Sequence, residues 1–194
     1  MLLLVASILV LFLLNLFLGS VHIPMDSIWN ILWGLDGDES VIWQNIIWKS
    51  RIPQSLTALV AGAGLAVSGL QMQTVFRNPL AGPSVLGISS GASLGVAFVV
   101  LLSGSIGGIA LSRLGFMGEI ALTVAAIVGA LSVMALIVYV SQKVHGNVTL
   151  LIIGVMIGYV ANAVIGVLKF FSVEEDIRAY VIWGLGSFAR VSGN

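Results

Sequence analysis

His22 and His145 are the only imidazoles in this chain, and it has no cysteine. Several apolar runs separate the two histidines, and neither has a carboxylate at metal-ligand spacing. His145 sits in a short polar turn and reads as a solvated loop residue. No Ser/His/Asp or Cys/His set gathers on one side of the chain, so nucleophilic catalysis has no machinery here. No phosphate-cradling G-x-x-x-x-G-K-S/T occurs. Gly62-x-Gly64 lacks the third glycine and the strand of a dinucleotide fingerprint. The chain therefore reads as a non-enzyme that needs no cofactor or metal. Its apolar runs also lack the paired carboxylates of proton coupling. What remains is one asparagine inside an apolar run, Asn162, and a few cations at the ends of such runs, among them Lys49, Arg51, Arg77 and Lys143.

The elements that carry these residues follow from composition. Hydrophobic residues make up 59% of the 194 and charged residues only 8%, with a mean hydropathy of +1.13. A soluble domain carries about 25% charged residues. The expected fold is an all-α polytopic membrane bundle in a lipid bilayer. A formal net charge of zero gives no electrostatic case for a nucleic-acid partner. Five runs approach the ~20 residues of a spanning helix: 2–18, 55–75, 85–102, 118–140 and 148–168. A signal peptide competes for the first run, but there is no basic n-region and only a weak cleavage site.

Between the first two runs, residues 19–50 hold Trp29, Trp33, Trp43 and Trp48, four of the five tryptophans. Indoles collect at membrane interfaces, so this segment is expected to lie on one face of the bilayer; a carbohydrate- or base-stacking surface is the other reading. Pro24 to Ser27 starts a helix there, and Asp36-Gly37-Asp38 reads as a turn. Pro53 suits the first turn of the second span. Ser103 to Gly108 is a glycine-rich break. Ser172 to Glu175 matches a capping box that opens a short interfacial helix over 173–188.

Arg77-Asn78-Pro79-Leu80-Ala81-Gly82-Pro83 is a polar turn between two apolar runs. Its prolines, Pro79 and Pro83, withhold a donor and bias the preceding residue away from helix, so the chain must stop, turn and restart. Small residues such as Gly62 and Gly69 before it, and Gly87, Gly91 and Gly95 after it, predict close helix packing. Gly154, Gly158, Asn162 and Gly166 recur at i+4. That row is either interhelical glue or the lining of a passage. Alternating the spans puts the turns at 76–84 and 141–147 on one side and 19–50, 103–117 and 172–194 on the other. The positive-inside count does not orient this layout.

Arg51-Ile52-Pro53, then Ala61 through Gly69, Gln71, Arg77-Asn78-Pro79-Leu80-Ala81-x-Pro83 and Leu86-Gly87-Ile88-Ser89-Ser90-Gly91-Ala92 form an ordered set. Together they closely resemble the permease subunits of bacterial importers for iron–siderophore complexes, haem and cobalamin (the FecCD type). Trp183-Gly184-Leu185-Gly186-Ser187-Phe188 resembles their W-x-x-G-S-F/L element. The resemblance implies an ATP-driven importer in the bacterial inner membrane working by alternating access. Its permease is a dimer served by cytoplasmic ATP-binding subunits and an extracytoplasmic substrate-binding protein. It puts the turns at 76–84 and 141–147, with Arg77, Asn78, Pro79 and Pro83, on the cytoplasmic side. Arg51 matches an outer-face arginine that docks the binding protein. Gln54 stands where a second arginine is common, and Lys49 is the compensating candidate. Gly154, Gly158 and Asn162 fall on a helix that borders the passage. Residues 1–194 are expected to be the N-terminal part of one permease domain of roughly ten spanning helices, with the ATPase-docking loop and the remaining helices lying further on. An ATP-independent carrier or scaffold that shares the packing motif is the alternative.

Overall fold

The computed structural model describes residues 2–35, 40–107, 116–144, 146–189 and 191–193, with backbone alone for 103–107 and 116. The expected turn at Asp36-Gly37-Asp38 and His145 lie outside the described residues, as does Gly108 of the expected glycine-rich break; the backbone of 103–107 does not break there but continues the third helix. The fold is all-α and polytopic, with no strand among the described residues. The helices are α1 (Leu2–Phe17), α2 (Met25–Trp33), α3 (Val41–Ile46), α4 (Ile52–Phe76), α5 (Ile88–Gly107), α6 (Phe116–Ser141), α7 (Asn147–Phe171) and α8 (Glu174–Gly184). Among the described residues, three helical stretches are long and apolar enough to cross a membrane: Val41–Phe76, Met117–Ser141 and Asn147–Phe171. Leu2–Phe17 and Ile88–Leu102 are shorter apolar helices. By internal contacts the chain divides into two units, 1–64 with 187–194, and 65–186, and the division falls within α4.

In the first unit, α2 buries Ile28 and Ile31 against Ile23 and Ile47, while Trp29 and Trp33 stay exposed with ring centroids 5.7 Å apart. Pro53 does not open a helix, contrary to expectation. It stands inside the continuous helical stretch from Val41, just after a π turn at Ile47–Arg51. A proline cannot donate to the carbonyl four residues back, here that of Lys49. The Gly193 amide takes that carbonyl instead, at 2.9 Å. A side chain on Gly193 would meet Pro53 Cγ at 3.2 Å, so the terminal segment sits directly on the proline.

In the second unit, α5 is packed by both α6 and α7. Gly91 and Gly95 lie against the backbone of α6 at Ala125 and Gly129; a Cβ on Gly91 would stand 2.7 Å from the Gly129 carbonyl oxygen. The i+4 row from Gly87 does not continue on this face. Gly87 ends a 3-10 turn (Pro83–Leu86) in the left-handed region, at φ 72°, and a Cβ there would come within 2.8 Å of the Gly154 carbonyl oxygen on α7. The third helix therefore starts at Ile88, not at 85. Gly62 and Gly69, expected to pack, would have nothing within 4 Å of an added Cβ among the described residues.

The capping box at Ser172 does not form. Val173 is the N-cap of α8, and Ser172 Oγ instead donates to the carbonyls of Leu168 (2.6 Å) and Leu101 (3.2 Å). The preceding helix end thus claims the hydroxyl that a cap would have used. The helix α8 packs over Val96, Ala97, Val100, Leu101 and Ile165 through Tyr180.

Pro53→Ala should restore a donor to the Lys49 carbonyl and displace Gly193. Native-state hydrogen exchange should show the Gly193 amide losing about tenfold protection, the loss of one net hydrogen bond. Unchanged protection would mean the proline does not create the seat.

Candidate functional site

The turn after α4 is built almost wholly from its own hydrogen bonds. Arg77 takes the left-handed conformation at φ 48°. Its N–H donates to Thr74 O (3.3 Å), and Asn78 N–H donates to Gln73 O (3.1 Å). This pair of bonds is a Schellman helix end, where glycine is the usual left-handed residue. Asn78 Oδ1 then accepts from Leu80 N–H at 2.9 Å, and Gln73 Nε2 donates to Pro79 O at 3.1 Å. Pro83 opens the 3-10 turn at N1. Ala81, Phe76 and Leu86 are buried beneath the turn, while Arg77, Pro79 and Leu80 are exposed. An arginine in a left-handed position costs about 1–2 kcal/mol. Arg77 bears that cost with its side chain exposed, which makes a role for the guanidinium worth testing.

Asn147 Nδ2 at the start of α7 donates to Val75 O in the last turn of α4, at 3.0 Å. The turn at 77–82 and the start of α7 therefore share one end of this unit. At the other end, Ser172 reaches α5 at Leu101. Within this unit the last turn of α4 meets the start of α7, and α5 meets the end of α7.

Gly154 and Gly158 are buried, with Gly154 against Leu86 and Gly158 against Gly87 and Ser90. Asn162 is exposed, and Gly166 has open space around it. An i+4 row drifts by roughly 40° per step on a helix of 3.6 residues per turn. The row therefore leaves the α5 contact, and the buried stripe continues through Ala161 and Ile165. The glycines pack, while the amide of Asn162 lies off that contact.

Lys49 is exposed on the π turn. Arg51 is buried, and its guanidinium donates to the carbonyls of Leu16, Phe17 and Val21. Gln54 Nε2 bonds Ser50 Oγ at 3.0 Å and Ala189 O at 3.4 Å. The two sequence-predicted docking cations thus differ in kind: one is open to solvent, the other is used by the backbone.

A family model, the FecCD transport family, matches residues 7–194. The chain belongs to the FecCD transport family. It is 36% identical over 186 residues to the hemin transport system permease HmuU of Yersinia pestis, covering 94% of this chain and 52% of that protein. It is 33% identical to the vitamin B12 import system permease BtuC of Pectobacterium atrosepticum, covering 84% and 45%. Among solved structures, a chain of a metal-chelate type ABC transporter in an inward-facing conformation matches with a TM-score of 0.73 at 27% identity, over 95% of this chain and 52% of that one. The chain spans about half the length of the curated relatives it matches. A multi-pass membrane permease family is thereby established for it.

Sequence reasoning missed three residues of the FecCD chain. Gly129 completes the seam with α5, and the Ala125-x-x-x-Gly129 spacing carried that signal. The Asn147 clasp to Val75 had no local signature. Asp176 is buried in the first turn of α8, and its Oδ2 has no hydrogen-bond partner among the described residues. Burial pushes its carboxyl above the usual 3.8, and the neighbouring Glu175 adds to the shift. Nearby, Lys169 Nζ lies 4.8 Å over the Tyr180 ring.

An acid with a raised folded value keeps its proton to a higher pH in the native state, so its contribution to stability is full below 3.8 and falls as pH rises through the raised value. Thermal unfolding across the acid-to-neutral range should follow this slope. Asp176→Asn should flatten it and raise the midpoint at neutral pH. An unchanged slope in the variant would assign the pH dependence elsewhere.

Proposed function

We propose that this chain is part of the transmembrane permease subunit of an ATP-driven importer in the bacterial inner membrane. The cargo is an iron–siderophore, haem or cobalamin-like complex, moved by alternating access. The single observation that carries the reading is the family match across residues 7–194, which runs through the whole ordered motif. HmuU and BtuC are named for hemin and vitamin B12, and the solved relative for a metal chelate, so the cargo class is a bulky chelate or macrocycle.

The chain contributes helix surface, turns and passage lining, and energy comes from separate cytoplasmic ATP-binding subunits. A second permease copy completes the passage. The five apolar helices α1 and α4 to α7 cross the bilayer, and α8 lies at the outer interface. The turn at Arg77, Asn78, Pro79 and Pro83 faces the cytoplasm with the turn before Asn147. The rim holding Lys49 and Arg51 receives the extracytoplasmic binding protein. Asn162 lines the passage; Gly154 and Gly158 set how closely its wall is drawn together.

These 194 residues hold no cysteine, so a cysteine placed among them is the one thiol of this part of the permease. In the intact permease, Leu80→Cys should react with an impermeant maleimide in inside-out vesicles and not in intact spheroplasts. The reverse pattern would overturn the topology. In proteoliposomes with the ATPase and binding protein, hemin or cobalamin uptake should require ATP. Ion-gradient-driven flux without the ATPase would support the carrier alternative. Arg77→Gly should leave the fold as stable or about 1 kcal/mol more so, relieving the left-handed cost, while lowering uptake; full uptake would remove the guanidinium from the mechanism.

A further inference from the structure

We propose that α2 presents Met25, Trp29 and Trp33 to bilayer lipid, with the two indoles seated at the headgroup–acyl boundary beside the end of α1. Assignment to the outer leaflet rests on the topology proposed above; the lipid contact itself does not.

Three bands run along α2, because each residue advances about 100° around the helix. Ser27, Ile28 and Ile31 form the first band and are buried, Ile28 to 1% exposure. Met25, Trp29 and Trp33 follow at four-residue steps over an arc of about 80°, and all three are exposed. Asp26 and Asn30 form the third band, between the indoles and Ser27. The apolar surface of α2 is therefore wider than the isoleucine core uses. The indole centroids stand 5.7 Å apart, so the exposed band is one patch. Asp26 is the only charge on the helix, so the contact requires no anionic lipid.

The level of the patch comes from what the buried band touches. Ile28 and Ile31 belong to a cluster with Ile47 of the π turn, and Phe17, the last residue of α1, packs against it. Most leucines of α1 are exposed, as lipid-facing residues are. The patch is thus held where that apolar surface ends. Indoles, with an apolar body and an N–H donor, are favoured at this margin. An interfacial helix sinks its apolar face about 5–10 Å into the boundary. The four tryptophans of residues 19–50 are thereby separated: Trp43 packs against the isoleucine cluster, whereas Trp29 and Trp33 are exposed beyond it. A helix seam is a poor alternative, since close membrane packing uses small residues, as where Gly91 and Gly95 of α5 meet Gly129 of α6. A soluble partner would find no charge in the band to steer it.

The test uses the full-length permease in phosphatidylcholine nanodiscs, with one introduced cysteine as its single thiol, labelled with bimane. The quencher is phosphatidylcholine carrying a nitroxide near the headgroup end of its chain. Bimane at Trp29→Cys or Trp33→Cys should be quenched about twofold more than at Asp26→Cys, because the apolar face alone enters the boundary. Asp26→Cys should respond to aqueous iodide instead, and adding the binding protein should leave the lipid quenching unchanged. A label-free readout keeps the native fold: tryptophan emission of the Trp29→Phe/Trp33→Phe variant should be quenched less by brominated lipid than that of the parent. Equal quenching in variant and parent would contradict the proposal. Iodide quenching at positions 29 and 33 that the binding protein abolishes would make the band a docking face. Quenching by neither agent would put it against the rest of the permease. Either result would overturn the lipid contact. The leaflet has its own test: an impermeant maleimide should reach Asp26→Cys in spheroplasts. Reaction only in inside-out vesicles would overturn the topology and leave the lipid contact standing.

Discussion

Close approach of helix backbones is the constraint on which the second unit depends. A membrane helix gains little from burying apolar side chains, because lipid is as apolar as its neighbours. Association must come from van der Waals contact, and contact is closest where side chains vanish. Gly91, Gly95 and Gly129 bring α5 and α6 together at the backbone, and Gly87, Gly154 and Gly158 do the same for the turn before α5 and for α7. With α5 held from two sides, Val96, Ala97, Val100 and Leu101 become the best buried residues of the helix. Tyr180 of α8 then closes over them.

A second rule acts at the ends of helices, where carbonyls lack donors and lipid offers none. Several such carbonyls find partners of different kinds. Asn147 serves Val75 at the end of α4, and Arg51 serves Leu16 and Phe17 at the end of α1. Gly193 serves Lys49, whose usual donor is replaced by Pro53. Polar groups such as the Asn147 amide and the Arg51 guanidinium are used here to finish helices. Helix ends can in this way be completed with very little charge.

The helices are legible in the sequence because long apolar runs leave no other structure in lipid. The turn at Arg77 to Pro83 is equally plain, since two prolines and an asparagine each impose a local conformation. Packing partners are less so. A small-xxx-small row says that something comes close, not what, so Gly62 and Gly69 read like Gly91 and Gly95 yet have no neighbour within 4 Å of an added Cβ among the described residues. The row from Gly154 to Gly166 misleads because four residues overshoot a turn, and the contact face drifts away from Asn162. Arg51 reads as an outward charge because a sequence cannot show that three carbonyls converge on it. Asp176 is hidden for the same reason: its burial depends on α8 folding over α5.

The sign of one substitution tests the central claim most directly. Alanine is favoured over glycine inside a helix by about 1 kcal/mol, so propensity alone says Gly129→Ala should stabilise the permease. Backbone contact with Gly91 says the opposite. The account predicts a lower unfolding midpoint for Gly129→Ala in lipid or mild detergent. An equal or higher midpoint would contradict it.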